Sequence, residues 1–305
     1  MGGPSSEREV SFKSGHAVAR ALKLAGCEVV EIDIKKADTQ YVKDLLLSYD
    51  IGLAFLALHG NFGEDGRMQA ILEAMHLPYT GSGPMASSLA MDKIASRKIF
   101  TAAGLKAPRY CVVEKNHKSI NNSFTLPLVV KPACGGSSIG LSIVDTPKEL
   151  KRAIEEAFAY DKKVIVEEYI KGREMTVGIF EDAPLDAIEV IPKRRFFDYK
   201  AKYEPGQTAY IVPAEVSSKT MEMLKETAQK AHALLGCSLF SRVDIILDNE
   251  DNAYVLEVNT IPGFTATSLL PKAAFAKGVS FTDLVLGIAQ AAFASCKYPV
   301  MAAMH

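Results

Sequence analysis

Apolar positions recur at helical spacing between residues 6 and 25 (Val10, Phe12, Ala17, Val18, Ala21, Leu22), and the run stops at Gly26. The spacing predicts a helix. CEVVEIDI (27–34) then predicts a strand and residues 41–48 a short helix. IGLAFLAL (51–58) is apolar on both faces, as a buried parallel strand is. GRMQAILEAMHL (66–77) predicts a helix and PYTG (78–81) a short strand with a turn. This alternation predicts a βα layered domain with a parallel sheet.

Residues 82–106 read as helical. RYCVVEK, LPLVVKP, GLSIVD and KKVIVEEYI read as strands, with a helix at PKELKRAIEEAFAY between the last two. Strands now dominate and lie closer together, which predicts a second, smaller α+β unit. Its boundary falls at Lys171 and Gly172. EMTVGIF and LDAIEVI follow as strands, residues 193–214 as a long polar and aromatic loop, and residues 217–236 as a helix. SRVDIILD and AYVLEVN form a hairpin closed by NEDN, and the end of the chain is helical. The predicted domains are 1–84, 85–171 and 172–305. No repeat or low-complexity tract appears.

At 305 residues the chain exceeds one ordinary core, in keeping with two or three domains. Its 48% hydrophobic and 23% charged content is that of a soluble globular protein. A net charge of −1 gives no general attraction to nucleic acid or anionic membrane. The longest apolar run, 51–58, is too short to span a bilayer. MGGPSSEREV has neither the basic nor the apolar region of a secretory signal, so a cytoplasmic protein is expected. The five cysteines are scattered without a CxxC pair, which reads as reduced thiols, and the histidines do not cluster as zinc ligands do.

Four segments carry candidate chemistry. In the hairpin, the period of two puts Arg242 and Asp244 on one face of the first strand and Glu257 and Asn259 on one face of the second. Val243, Ile245 and Val258 take the other face. A row of acid and amide oxygens suits Mg²⁺, although the solvated face of an edge hairpin has the same pattern. The tail TIPGFTATSLLP adds Gly263, where a backbone N–H can approach a ligand closely, and Ser268 near a helix start that can hold an anion. LPLVVKPACGGSSIGLS puts Lys131 at a strand end before a Gly/Ser-rich turn, either a phosphate cradle or an ordinary hairpin turn. LHGNFGEDG sits at the carboxyl end of a predicted parallel strand, where such sheets bind ligands; His59 within it is a ligand or a core histidine. GGPSSERE reads as a loop entering a helix, with Glu7 either functional or part of a capping box.

Taken together, GGPSSEREVS, HGNFGEDG, PYTGSG, MDK, VVKP with GGSSIG, EEYIKGRE, DYKAKY, RVDIILD and EVNTIPGFTATSLLP resemble the D-alanine–D-alanine ligases of the ATP-grasp superfamily over nearly the whole chain. The resemblance implies an α/β and α+β protein: an ATP-grasp fold with an N-terminal parallel-sheet (pre-ATP-grasp, Rossmann-like) domain and ATP between two sheets. It implies ATP-dependent ligation of two D-alanines through D-alanyl phosphate for peptidoglycan synthesis, with two Mg²⁺ ions for which Mn²⁺ substitutes. Lys93 and Lys131 look like the phosphate-binding lysines. Glu167, Glu168 and the backbone near Ile170 would hold adenine, and Glu174 the ribose. Asp244, Glu257 and Asn259 look like the metal ligands, and Arg242 with the Gly263 N–H like the oxyanion clamp. Glu7 would hold the ammonium of the first D-alanine, with His59 nearby, and would join Ser137 and Tyr203 in a latch. Lys202, Ser268 and the Leu269 N–H would take the second D-alanine's carboxylate and the γ-phosphate region. The Lys202–Tyr203 pair implies D-alanine rather than D-lactate as second substrate. The resemblance also implies a homodimer, and a short apolar strand before Gly2; Met1 stands at that strand's last apolar position, so an internal or truncated start is expected.

Overall fold

A computed structural model describes residues 1–115, 124–136, 139–193 and 206–295. Helix α1 (Arg8–Leu24) runs as its spacing predicts, and α2 (Thr39–Leu47) is capped by Asp38, whose carboxylate accepts from the Tyr41 N–H at 2.7 Å. Helix α3 (Arg67–Ala74) follows. The predicted strands around these helices are extended segments joined by single parallel bridges, Gly2 with Ile34 and Ala54 with Tyr79. Each bridge rests on two backbone bonds, such as Ala54 N–H to Pro78 O at 2.8 Å and Thr80 N–H to Ala54 O at 3.1 Å. One bridge does not make a ladder, so the parallel sheet is rudimentary among the described residues.

The predicted helix over 82–106 is two helices, α4 (Pro84–Met91) and α5 (Lys93–Ala102). Asp92 divides them. It leaves helical geometry (φ −84°, ψ 100°), and its carboxylate caps α5 by accepting from the N–H groups of Ile94 and Ala95. Lys93 therefore stands at the first position of a helix.

The small sheet has the order β1-β4-β2-β3, all neighbours antiparallel: β1 (Tyr110–Glu114), β2 (Leu128–Pro132), β3 (Ser142–Val144) and β4 (Lys163–Glu168). Helix α6 (Pro147–Ala157), held by a Thr146–Glu149 capping box, covers one face of it through Leu128, Val130, Val144 and Ile154. Strand alternation leaves Val129 and Lys131 on the other face.

The large sheet runs β10-β9-β5-β7-β8, with β6 (Ala183–Pro184) beside β5 (Gly172–Phe180). Strand β7 is Ile188–Pro192 and β8 is Thr208–Ile211. Strand β8 falls inside the predicted long loop. Its pairing with β7, Val190 opposite Tyr210, is a long-range contact that a four-residue segment does not announce. Strands β9 (Phe240–Asp248) and β10 (Ala253–Asn259) form the predicted hairpin. Met175, Val177, Val243, Ile245, Val255 and Val258 pack under α7 (Ser218–Leu234). Each such side chain is worth roughly 1.5–3 kcal/mol when taken from water.

Two helices close the chain, α8 (Leu269–Ala276) and α9 (Phe281–Ala294). Helix α8 lies across the opposite face of β5, and a Cβ at Gly178 would stand 2.7 Å from Leu270 Cδ1, so glycine there lets the helix seat. Helix α9 packs against α1 through Leu284, Val285 and Ile288 facing Val18 and Leu22. Among the described residues no helix is long and apolar enough to cross a membrane.

His232 of α7 is buried, with Nδ1 2.7 Å from Ser241 Oγ and Nε2 3.1 Å from Asp182 Oδ1. Burial holds its pKa below the usual 6.5, with Asp182 opposing. A depressed histidine contributes stability above the unfolded pKa and loses it as pH falls through the folded one. The melting temperature is therefore expected to drop as pH is lowered below about 6.5, and His232→Gln to flatten that slope. Parallel melting-temperature profiles for the two proteins would refute this.

Candidate active site

The uncovered faces of the two sheets look at each other across a cavity of about 390 Å³. Lys131 and Ile143 line it from the small sheet, and Glu174, Thr176, Asp244 and Glu257 from the large one. Lys93 enters from the start of α5, Leu269 from the start of α8, Glu167 and Glu168 from the end of β4, and Ile170 from the segment that joins the sheets. Eleven residues from distant stretches of sequence thus meet on one concave surface.

The hairpin places its polar face by a bulge. Val255 pairs with Ile245 and Glu257 with Asp244, so Leu256 is the extra residue. Unbroken alternation from Ala253 and Val255 would bury Glu257. The bulge reverses the phase, burying Val258 and turning Glu257 and Asn259 to the cleft. Asp244 is the hub of this face. Arg242 donates to both its oxygens (2.9 and 2.8 Å), Thr176 Oγ1 donates at 2.7 Å and Asn259 Nδ2 at 3.2 Å. Glu257 lies 3.2 Å from Lys93 Nζ, which also donates to Gly135 O at 2.6 Å.

Asp244, Glu257 and Asn259 present hard oxygen donors side by side. Among the described residues no group of three or more His, Cys, Asp or Glu converges. A divalent cation here would thus use two carboxylates, an amide oxygen and oxygens of a bound phosphate, a set that fits Mg²⁺ better than a softer metal.

Glu167 is buried between two cations. One oxygen takes Lys131 Nζ at 2.9 Å and the other takes Arg97 Nη1. Burial pushes the Glu167 pKa up, but Arg97 and Lys131 together bring it below the usual carboxylate value. Lys131 fares oppositely: burial lowers it to about 8, and Arg97 adds to that, because one carboxylate serves both cations. Glu168 gives its carboxylate to Arg109, which donates from its backbone N–H at 2.9 Å and from Nε at 2.8 Å.

Glu7 opens a second cavity of about 260 Å³, which shares Pro132, Cys134, Gly135, Gly136 and Ile139 with the first. Glu7 stands at the start of α1 with no side-chain cap, which removes the capping-box alternative. Ser5 Oγ donates to His59 O at 2.6 Å and accepts from the Glu7 N–H at 3.1 Å, so the two loops are tied. A Cβ on Gly60 would lie 2.7 Å from Glu7 Oε2, so glycine gives the carboxylate its room. His59 is buried, with Nε2 2.9 Å from Ser14 Oγ and Nδ1 4.0 Å from Glu64. Ser14 Oγ also accepts from the Phe264 N–H at 3.2 Å, which joins His59 to the loop carrying Gly263. Ser268 precedes α8, and its Oγ accepts from the Thr265 N–H at 3.0 Å.

Of the expected site residues, Ser137, Lys202 and Tyr203 lie outside the described residues. Three residues that the sequence does not single out stand at the site: Thr176, Arg97 and Ser14. Thr176 shares a strand face with Glu174, and Arg97 follows Lys93 by one helical turn, so periodicity carries a signal for both. Ser14 carries none.

A family model described as the C-terminus of D-ala D-ala ligase matches residues 99–290, and one for the N-terminus matches residues 42–82. The D-alanine–D-alanine ligase of Geotalea uraniireducens is 47% identical over 294 residues, 96% of this chain and 94% of that protein. That of Citrifermentans bemidjiense is 47% identical over 96% and 94%. Among solved structures, the Bacillus anthracis D-alanine–D-alanine ligase complexed with ATP superposes with a TM-score of 0.85 at 33% identity over 97% of each chain. The VanG D-Ala:D-Ser ligase from Enterococcus faecalis gives 0.84 at 29% identity over 96% and 97%.

Cys134 lies on the wall shared by the two cavities with its sulfur half-buried, and that partial burial together with Asp161 raises its pKa to about 11. Alkylation at neutral pH should be slow, since the thiolate is the nucleophile. Nucleotide filling the larger cavity should slow it further. Equal labelling of the Cys134 peptide with and without nucleotide would contradict this.

Proposed function

The chain belongs to the D-alanine–D-alanine ligase family, and from that premise we propose how its cleft performs the reaction. It is an ATP-dependent ligase that joins two D-alanines into D-alanyl-D-alanine through D-alanyl phosphate, for peptidoglycan precursor synthesis. The observation that supports the assignment of roles is the meeting of Lys93 and Lys131 with Asp244 and Glu257 on one cavity between two sheets.

A carboxylate resists attack, so the first D-alanine must be activated by the γ-phosphoryl group of ATP. In this reading adenine lies by Glu167, Glu168 and the backbone at Ile170, and the ribose hydroxyls at Glu174. Lys93 and Lys131 hold the phosphates as point charges. Two Mg²⁺ ions, or Mn²⁺, held by Asp244, Glu257 and Asn259 would neutralise charge on the transferring phosphoryl group. Glu7 binds the ammonium of the first D-alanine beside His59. The second D-alanine places its carboxylate at Ser268 and the Leu269 N–H, where the start of α8 favours an anion. Lys202 would join there, and Ser137 and Tyr203 would latch onto Glu7. Attack by the free amine makes a tetrahedral oxyanion, and Arg242 and the Gly263 N–H are its donors. One such donor is typically worth ~3–4 kcal/mol. Water must be kept out, or the acyl phosphate hydrolyses.

We further propose the domain limits 1–84, 85–171 and 172–305, a homodimer and a cytoplasmic location. The first limit follows the change from α/β alternation to closely spaced strands, although α4 and α5 pack on the large sheet. The last two rest on the resemblance.

Phosphate release from ATP should require D-alanine and fail with L-alanine, and the dipeptide should accumulate in step with it. D-serine or D-lactate incorporated as readily as a second D-alanine would overturn the acceptor assignment. Thr176→Val keeps the shape of the side chain but removes its hydrogen bond to Asp244. A bond to a charged group is worth roughly 1.5–3 kcal/mol, so the melting temperature should fall by a few degrees, and kcat/KM of the folded protein should fall about 10- to 100-fold as Asp244 loses its fixed position. Wild-type kinetics in that variant would remove Thr176 from the site.

A further inference from the structure

We propose that Arg97 is a positioning residue of the nucleotide site, which acts through Glu167 to present Lys131 to the triphosphate; this rests on the ligase reading above. Arg97 stands one turn after Lys93 on α5, its side chain wholly buried. Its Nη1 donates to one Glu167 oxygen, and the other Glu167 oxygen takes Lys131 Nζ. Its Nε and Nη2 have no hydrogen-bond partner, and the guanidinium lies 5.5 Å from the Tyr110 ring centroid. Arg97 does not reach the cavity, whereas Lys131 and Glu167 line it.

An apolar side chain would fill this place at lower cost, since a buried ion pair seldom stabilises more than packed hydrocarbon. The cluster holds two cations and one carboxylate, so it is one negative charge short. Arg97, sealed in, makes a fixed claim on Glu167, and the deficit appears at Lys131, the cation that faces the cavity. The groups that act on Lys131 are Arg97 and Lys93 of α5, which disfavour its charge, and Glu167 of β4, which favours it. With burial they bring Lys131 to about 8. A triphosphate supplies the missing negative charge and favours protonated Lys131. Without Arg97, Lys131 and Glu167 would form a satisfied pair, and the lysine would be less available to a phosphate.

The test compares wild type, Arg97→Met and Arg97→Lys across about pH 6 to 10, with KM for ATP, KM for D-alanine and kcat measured separately. In the wild type, KM for ATP should climb as pH rises through about 8. Arg97→Met should raise KM for ATP about tenfold, the equivalent of one pKa unit of interaction, and move that limb to higher pH. KM for D-alanine should stay put, and Arg97→Lys should restore much of the wild-type behaviour. A folded Arg97→Met protein with wild-type KM for ATP and an unmoved limb would overturn the proposal. Should Arg97→Met fail to fold, calorimetry of ATP binding to the wild type in two buffers near pH 8 decides. Net proton uptake supports the proposal and its absence refutes it. D-alanine-independent phosphate release by the wild type would instead sink the ligase reading, and the binding measurements would still judge Arg97.

Discussion

Shared carboxylates hold the cleft in its shape. Glu167 serves two buried cations, Asp244 takes donors from Arg242, Thr176 and Asn259, and Glu257 faces Lys93. An uncompensated charge in such surroundings costs several kcal/mol, so each acid fixes its partners and each partner fixes the acid. The polar face of the large sheet is thus ordered by the same groups to which the proposed chemistry is assigned. Preorganisation of this kind is what electrostatic catalysis requires, because donors already in place need not reorganise when charge develops.

The N-terminal segment reaches the same centre by different means. Its apolar attachment is the packing of α1 on α9, far from the chemistry. Its polar attachments include Ser14 Oγ, between His59 Nε2 and the Phe264 N–H, and Ser238, whose N–H donates to Ser82 Oγ and whose hydroxyl donates to Gly81 O. Phe264 is itself fixed edge-on against Phe240 at 5.2 Å and Phe55 at 5.7 Å, and such pairs are worth about 0.5–1.5 kcal/mol beyond their burial. The loop carrying Gly263 is therefore held by an aromatic cluster on one side and by the His59 loop on the other. A substrate held between Glu7 and Gly263, as proposed, would meet two walls set by one network.

What the sequence makes legible follows from the range of the forces involved. Alternation along SRVDIILD shows which side chains share a face, since the period of two is local. Gly/Ser content shows where the turn after Lys131 falls. The strand at 208–211 looks like loop in the sequence because its pairing with β7 is set by the whole sheet. The break at Asp92 hid inside a stretch of good helix formers, and only its capping bonds reveal it. Arg97 and Ser14 are ordinary helix residues in the sequence, and their roles come from partners 70 and 250 residues away. The composition of the N-terminal strands predicts a ladder, yet among the described residues their pairing consists of single bridges.

The bulge at Leu256 shows how one residue can set a site. A regular hairpin with this sequence would satisfy its backbone and bury Val255, but it would also bury Glu257 and turn Val258 outward. That arrangement strands a carboxylate in the core beneath α7, at a cost far above the loss of one ladder position. The sequence VLEVN puts two residues, not one, between Val255 and Val258, so both valines face α7 only if the strand gains an extra residue. Hydrophobic burial thus forces the irregularity, and the irregularity in turn aims Glu257 and Asn259 at Asp244 and Lys93. The polar face of the cleft is a consequence of how the apolar face packs.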